Sequence, residues 1–399
     1  MSTETPASSH AYAAVIAQNP SGACGLKKAN NIMDLSRELR PENGTKIGSW
    51  HPHHHDVREQ EIDIYRLETE DEDASMKSPG EWIESWRNLE CNMSPLAQKV
   101  LEYLQSPEPP VSNRWSEISN EVVSGIRQVP LTSPTLPPAE HTNAYLIGDD
   151  ELILVDPATY ELSERNKLEK ILRGLLAQGM KLKAIVLTHH HFDHFGAAEW
   201  ASKTFEAPIW AHEITQELLA DKLSFTRKLQ ENDQINLGND RSGRPFSLEV
   251  RFTPGHAPGH IVLCDTRPGS GAMIVGDMVA AVGTIIIDPE EGDMHRYIEE
   301  LRRLRTLQPG CVFPAHGPPI GNGDAKFEQY IKHRLTREKM VLGALMDHGP
   351  ALASELLDQA YADTPRHLYP LAERACLAHL IKLAADGKIC LEDGRYRAT

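Results

Sequence analysis

The stretch THHHFDH, Thr188–His194, sets four histidines and one aspartate within seven residues, directly after the apolar run AIVL. Imidazole and carboxylate are the ligand set that suits zinc, iron or manganese. On a strand, side chains alternate, so His189 and His191 fall on one face and His190 on the other. Two imidazoles on one face can grip one ion. Asp193 and His194 follow where the chain turns into a helix and can reach a second ion alongside. Further candidates stand where other apolar runs stop: His256 and His260 in TPGHAPGH after LEVRF, Asp277 after AMIV, and His316 in PAHG after CVF. About three protein ligands plus a water make a zinc site with an open position, the arrangement hydrolysis requires.

Such residues converge only if strands end together, and the surrounding sequence supplies the strands. AYLIG and ELILVD read as two strands around a turn at Asp149 and Asp150. Leu168, Ile171, Leu172, Leu175 and Leu176 recur at helical spacing, with Gly179 as the stop. KAIVLT, LEVRF, GAMIVGD and CVFPAH are short apolar runs that each end on a polar residue. Strands alternating with helices predict a layered α/β domain. From about Thr336 the order is helix, helix, longer helix, then KICL and RYRAT joined by EDG as a β-hairpin, a winged-helix pattern. The last helix is expected to hold Leu377, Leu380, Ile381 and Ala384 on one face.

THHHFDH, TPGHAPGH, GD and PAHG, in this order, resemble the metallo-β-lactamase superfamily, whose core motif is HxHxDH. The resemblance runs from about Gln128 to Tyr330. It implies an αββα sandwich with a dinuclear site at one edge. It assigns His189, His191 and His256 to one metal, Asp193, His194 and His316 to the other, and Asp277 as the bridge. Zinc is the first choice, with iron or manganese as alternatives. Asp156, in LVDPAT, is expected to support the ligands from outside the metal shell, and His260 to be a loop or supporting residue. Two ions about 3.5–4 Å apart can share a hydroxide at neutral pH and polarise the substrate oxygen. Asp193 would orient that hydroxide as well as bind metal, the catalytic role expected here.

The C-terminal sequence YADTPRHLYPLAERACLAHLIKLAADGKI resembles the winged helix that follows this core in the β-lactamase-like protein 2 branch. That branch includes an endoribonuclease, and its fungal relatives include carrier-protein thioesterases. From Thr336 on, eight Lys and Arg face nine Asp and Glu. A nucleic-acid footprint should be clearly basic, so DNA is not the expected partner; packing beside the active site or a homodimer contact is. RELRPENG, Arg37–Gly44, resembles the tail of a Nudix box, with Pro41 in place of one paired glutamate and alanines at Ala23 and Ala29 where the box needs glycine and glutamate. Bacterial proteins fuse such a domain to this hydrolase core. Magnesium needs the clustered carboxylates, so the expectation is a degenerate Nudix-like α/β domain over 1–105. A linker over 106–127, the hydrolase domain over 128–335 and the winged helix over 336–399 complete the division. HPHHHD, His51–Asp56, reads as a solvated loop.

The chain has 399 residues and a formal net charge of −16, which repels polyanions. Six scattered cysteines without a CxxC pair predict reduced thiols in a cytoplasmic protein. The first twenty residues lack the basic start of a signal peptide. AMIVGDMVAAVGTIII, broken by Asp277, falls short of a membrane span. The expected function is hydrolysis of an ester or thioester of a small acyl substrate. RNA cleavage is the alternative, and a non-catalytic nucleotide or metal sensor the second alternative.

Overall fold

The computed structural model describes residues 121–399, Val282 apart, together with the backbone of four strands nearer the N-terminus. Those strands, β1 (Ala11–Gln18), β2 (Cys24–Leu26), β3 (Gly44–Trp50) and β4 (Ile62–Glu68), form one sheet in the order β2-β1-β4-β3. Strand β4 is the segment IDIYRLE. RELRPE and HPHHHD lie outside the described residues.

The hydrolase layers begin at Glu121, inside the stretch expected as linker. Strands β5 (Glu121–Val123), β6 (Ile126–Thr132), β7 (His141–Ile147), β8 (Glu151–Val155), β9 (Lys181–Val186), β10 (Ile209–His212) and β11 (Phe225–Leu229) make a seven-stranded sheet in the order β11-β10-β9-β8-β7-β6-β5. It is antiparallel from β5 to β8 and parallel from β8 to β11. A second sheet runs β12 (Gln234–Asn239), β13 (Pro245–Phe252), β14 (Ile261–Asp265), β15 (Met273–Gly276) and β16 (Val312–Pro314) in sequence order.

Both faces of the first sheet are covered, so β7 and β8 are buried along almost their whole length rather than on alternate residues. One face meets the second sheet through Tyr145, Ile153, Val186, Phe246, Leu248, Leu263 and Phe313. The other packs on helices α1 (Leu162–Ala177) and α3 (Ala198–Phe205), with the short α2 (Phe192–Phe195) before α3. Helix α4 (Glu213–Leu218) follows β10. The outer face of the second sheet packs on α5 (Met294–Thr306) and the first half of α6 (Gly323–His348). This is the αββα sandwich.

Helix α6 crosses the boundary expected at 335/336 without a break. Phe327, Tyr330 and Ile331 serve the hydrolase core, while Val341, Ala344 and Leu345 serve the C-terminal core. That second core is completed by α7 (Leu357–Ala360), α8 (Tyr369–Ala385) and the hairpin β17 (Ile389–Glu392) and β18 (Arg395–Ala398). Asp393 and Gly394, both at positive φ, form the tight turn its two-residue loop demands. The buried face of α8 is Ala372, Cys376, Leu380 and Leu383, and Ile381 points outward, contrary to the expected stripe. Among the described residues no helix is long and apolar enough to cross a membrane.

One polar group in this C-terminal core stands out. His379 of α8 is fully buried, and neither ring nitrogen has a hydrogen-bond partner. Burial, aided by the positive charges of Arg334 and Lys382, pushes its imidazole down to about 3 from an ordinary 6.5. Because the folded value is depressed, stability is complete above the unfolded value and is lost as pH falls below it, where the unfolded chain takes up a proton the folded chain refuses. The loss at pH 5 is about 2 kcal/mol. His379→Leu should therefore stabilise the chain more at pH 5 than at pH 8 by about that amount, read from urea unfolding at the two pH values. An equal effect at both would show that His379 does not carry this proton linkage.

Candidate metal centre

The candidate residues sit on segments that leave the ends of β8, β9, β13, β15 and β16, brought to one edge of the sandwich. Strand β9 stops at Val186 rather than continuing through the histidines. The reason is Asp156, just past β8. Its carboxylate accepts the Thr188 amide at 2.8 Å and the Thr188 hydroxyl at 2.6 Å. A side chain thus takes the place of the neighbouring strand, and His189–His191 lie in an irregular segment after a bend at Thr188, with His191 at the N-terminal boundary of α2. The strand alternation expected for His189 and His191 does not operate; the bent segment brings them together instead.

All seven proposed ligands converge. His191 Nδ1 lies 2.9 Å from His189 Nε2 and 2.9 Å from His256 Nε2. Asp193 faces His194 Nε2 at 3.9 Å with one oxygen and His316 Nε2 at 3.8 Å with the other. Asp277 lies between the two groups, Oδ2 3.4 Å from His256 Nε2, and Oδ1 3.4 Å from His316 Nε2 and 3.7 Å from His194 Nε2. Within each of the trios His189, His191, His256 and Asp193, His194, His316, the candidate ligand atoms lie within 4.8 Å of one another.

The outer hydrogen bonds decide which ring nitrogens carry protons. His256 Nδ1 donates to the Ile286 carbonyl at 2.9 Å, and His316 Nδ1 to the His141 carbonyl at 3.0 Å. His194 Nδ1 donates to Asp156 at 2.9 Å. The Thr188 hydroxyl gives its own hydrogen to Asp156, so at 3.0 Å it accepts from His189 Nδ1. His191 Nε2 donates to Glu291 at 2.5 Å. In their neutral forms all five imidazoles therefore turn an unprotonated nitrogen toward the same space. Lone pairs 2.9 Å apart repel unless a cation lies among them. His194 Nε2 and Asp277 Oδ1 are buried without a hydrogen-bond partner. The donor set fits divalent metal ions, with each ligand oriented from outside by a fixed acceptor.

The electrostatics agree. Burial and then the neighbouring imidazoles His194, His191, His256 and His260 push His189 well below its ordinary value. Burial and His191 take His256 down to about 4. Burial would also depress His194, but the carboxylates of Asp193, Asp277 and Asp156 overcome it and hold it well above the ordinary range. Positive charge is favoured where the carboxylates are. His260 is excluded from the ligand set: its Nδ1 donates to the Thr253 hydroxyl at 2.8 Å and its Nε2 accepts the Asp277 amide at 3.1 Å. It supports the Asp277 backbone, as expected of a supporting residue. Gly276 permits this approach, since a Cβ there would sit 2.7 Å from His260 Nε2.

Four supports were not foreseen: the Thr188 hydroxyl, Glu291, which also accepts from His190 Nε2 at 2.8 Å, and the carbonyls of Ile286 and His141. Carbonyls leave no trace in residue type. Glu291, a hundred positions from His191 in an acidic turn, looks like any solvated carboxylate.

Comparison with known proteins decides the family. The profile of the Metallo-beta-lactamase superfamily matches residues 137–316, and that of the Beta-lactamase associated winged helix domain matches 353–395. The Lactamase-like protein nscB of Trichophyton verrucosum is 30% identical over 214 residues, covering 51% of this chain and 68% of its own. The chain belongs to the metallo-beta-lactamase superfamily. A Beta-lactamase-like protein 2 homolog of Caenorhabditis elegans is 27% identical over 257 residues, covering 62% of this chain and 80% of its own. The crystal structure of a beta-lactamase domain protein from Burkholderia ambifaria shares the fold, with a TM-score of 0.60 at 24% identity over 70% of this chain and 93% of that one. This superfamily member is a metal-dependent hydrolase with a C-terminal winged helix.

Asp156 tests the role of the outer bonds. It sits at φ 46°, a conformation asparagine tolerates, and it accepts three hydrogen bonds. Asparagine keeps one acceptor oxygen and turns a donor toward donors. Asp156→Asn should weaken zinc binding by about 10- to 100-fold, measured by competition with a chromophoric chelator. Unchanged affinity would remove Asp156 from the support of the centre.

Proposed function

We propose that this hydrolase cleaves an ester or thioester of a small acyl substrate, with two divalent ions, zinc by preference, held by the residues described. His189, His191 and His256 would hold one ion, Asp193, His194 and His316 the other, and Asp277 would join them. Bound there, the ions would supply a water nucleophilic at neutral pH and a Lewis acid for the substrate oxygen. The Asp193 carboxylate, aimed at the space between His194 and His316, orients the attacking water and accepts its hydrogen bond. His194 and His316 are fixed beside it by Asp156 and the His141 carbonyl. No serine or cysteine nucleophile is required.

The observation that supports an acyl substrate is the rim. Four of the nine exposed large apolar side chains among the described residues, Leu136, Tyr160, Leu162 and Phe192, lie on segments adjoining the ligands and their supports. Phe192 stands between His191 and Asp193 in the motif itself and is 56% exposed. Leu136 precedes His141, whose carbonyl fixes His316, and Tyr160 and Leu162 follow Asp156. Arg374, on α8, is engaged in pairing with Asp288. Phosphate backbones bind where cations are free to meet them; exposed apolar side chains suit an acyl chain.

The test is a panel of acyl-CoA thioesters, aryl esters and lactones beside single-stranded RNA at low salt, with zinc-loaded protein. Turnover of an acyl substrate is expected, reduced by about 100-fold or more in Asp193→Asn, with RNA left intact. Phe192→Ala should raise KM about 3- to 10-fold with kcat little changed, the signature of lost uniform binding. If every acyl compound stays inert, the reading fails, and RNA cleavage in the same assay would replace it with an endoribonuclease.

A further inference from the structure

The turn that carries Glu291 is held from two sides. On its inner side, Glu291 accepts from His190 and His191, and the preceding Ile286 carbonyl accepts from His256. Two ligands of the same trio, His191 and His256, are thus oriented by the single segment 286–291. On its outer side, the segment meets helix α8 of the winged helix. Arg374 Nε donates to Asp288 at 3.0 Å, its Nη2 to the other Asp288 oxygen, and the same nitrogen pairs with Glu290 at 2.7 Å.

The turn needs such a hold. Asp288, Glu290 and Glu291 place three carboxylates within four residues, and like charges at this spacing push one another apart. Within the turn, the Asp288 carbonyl accepts the Glu291 and Gly292 amides at 3.2 and 2.6 Å, and an Asp288 oxygen accepts the Glu290 amide at 3.0 Å. These bonds shape the loop without saying where it points. Ile285 and Ile287 are buried in the hydrolase core, and Asp293 donates to the Gly255 carbonyl at 2.8 Å, so both ends of the turn are anchored. What lies between is fixed by a planar guanidinium gripping a carboxylate with two bonds, the geometry with most directional power.

We infer that Arg374 is a positioning residue: through Asp288 and Glu290 the winged helix sets the turn whose Glu291 and Ile286 carbonyl aim His191 and His256 at the first metal. This assigns the winged helix a part in the hydrolase site from its own helix α8. The inference rests on the proposed metal centre, and the experiment separates the two.

Zinc affinity of the full chain is measured by chelator competition for the wild type, Arg374→Ala, Asp288→Asn, their double variant, and Arg337→Ala as control. Arg337 pairs with Asp363 at 2.9 Å inside the winged helix, away from the turn. Arg374→Ala and Asp288→Asn are each expected to weaken zinc binding by about 3- to 10-fold, toward the range of lost outer-shell bonds. The double variant should be no worse than Arg374→Ala alone, since Asp288→Asn removes only a contact that Arg374→Ala has already broken, and Arg337→Ala should bind as the wild type does. Asp288→Asn reads the contact from the hydrolase side should Arg374→Ala fail to fold. Wild-type affinity in Arg374→Ala and Asp288→Asn, or an equal loss in Arg337→Ala, overturns the positioning role while leaving the metal centre standing. A wild-type chain that takes up no zinc overturns both.

Discussion

The structure is organised around unprotonated nitrogens facing one another. Burying five imidazoles at van der Waals distance is unfavourable unless their polar atoms are satisfied, and here each ring spends its one hydrogen outward on a fixed acceptor. Asp156, Thr188, Glu291 and the carbonyls of Ile286 and His141 leave the inward nitrogens nothing to donate. The two carboxylates of Asp193 and Asp277 then add negative charge where the lone pairs meet. A metal-dependent hydrolase needs this arrangement: a site whose polar demands are met by cations and by little else.

The αββα layers exist in this account to hold strand ends still. His189 to His194 come from the first sheet, while His256, Asp277 and His316 come from the second, so the site spans the sandwich. Stitching between the sheets is polar at this edge. Tyr145 donates to the Pro314 carbonyl at 2.6 Å, and Asn143 donates to the Pro314 and Gly317 carbonyls at 2.9 and 2.7 Å. These bonds seat the His316 turn against β7. Tyr145 also places its ring against Phe313, edge to face, so the same side chain serves the core and the site.

The C-terminal unit is bound into this scheme by continuity and by charge. Helix α6 belongs to both cores, and Tyr330 on it exchanges hydrogen bonds with Ala280 on the segment that follows Asp277. Arg334, one turn further, reaches the Ile285 carbonyl. The helices of the winged helix thus touch the hydrolase layer along the loop between Asp277 and α5.

The ligand types and their order were legible in the sequence, because metal chemistry demands histidine and aspartate and apolar runs mark the strand ends that carry them. The order of strand and helix patterns along the chain likewise set the α/β class and the winged-helix arrangement. Local pattern misled where a tertiary partner intervened. The Asp156 carboxylate ended β9 before the histidines; α6 ran through the boundary expected at 335/336; and packing turned Ile381 outward. What only the tertiary structure decided is direction: which nitrogen of each ring faces inward, and that Glu291 meets His190 and His191 from a turn whose Asp288 and Glu290 pair with Arg374. Those choices depend on hydrogen bonds between residues scores of positions apart, and a linear pattern carries residue identity but not the acceptor each donor will meet.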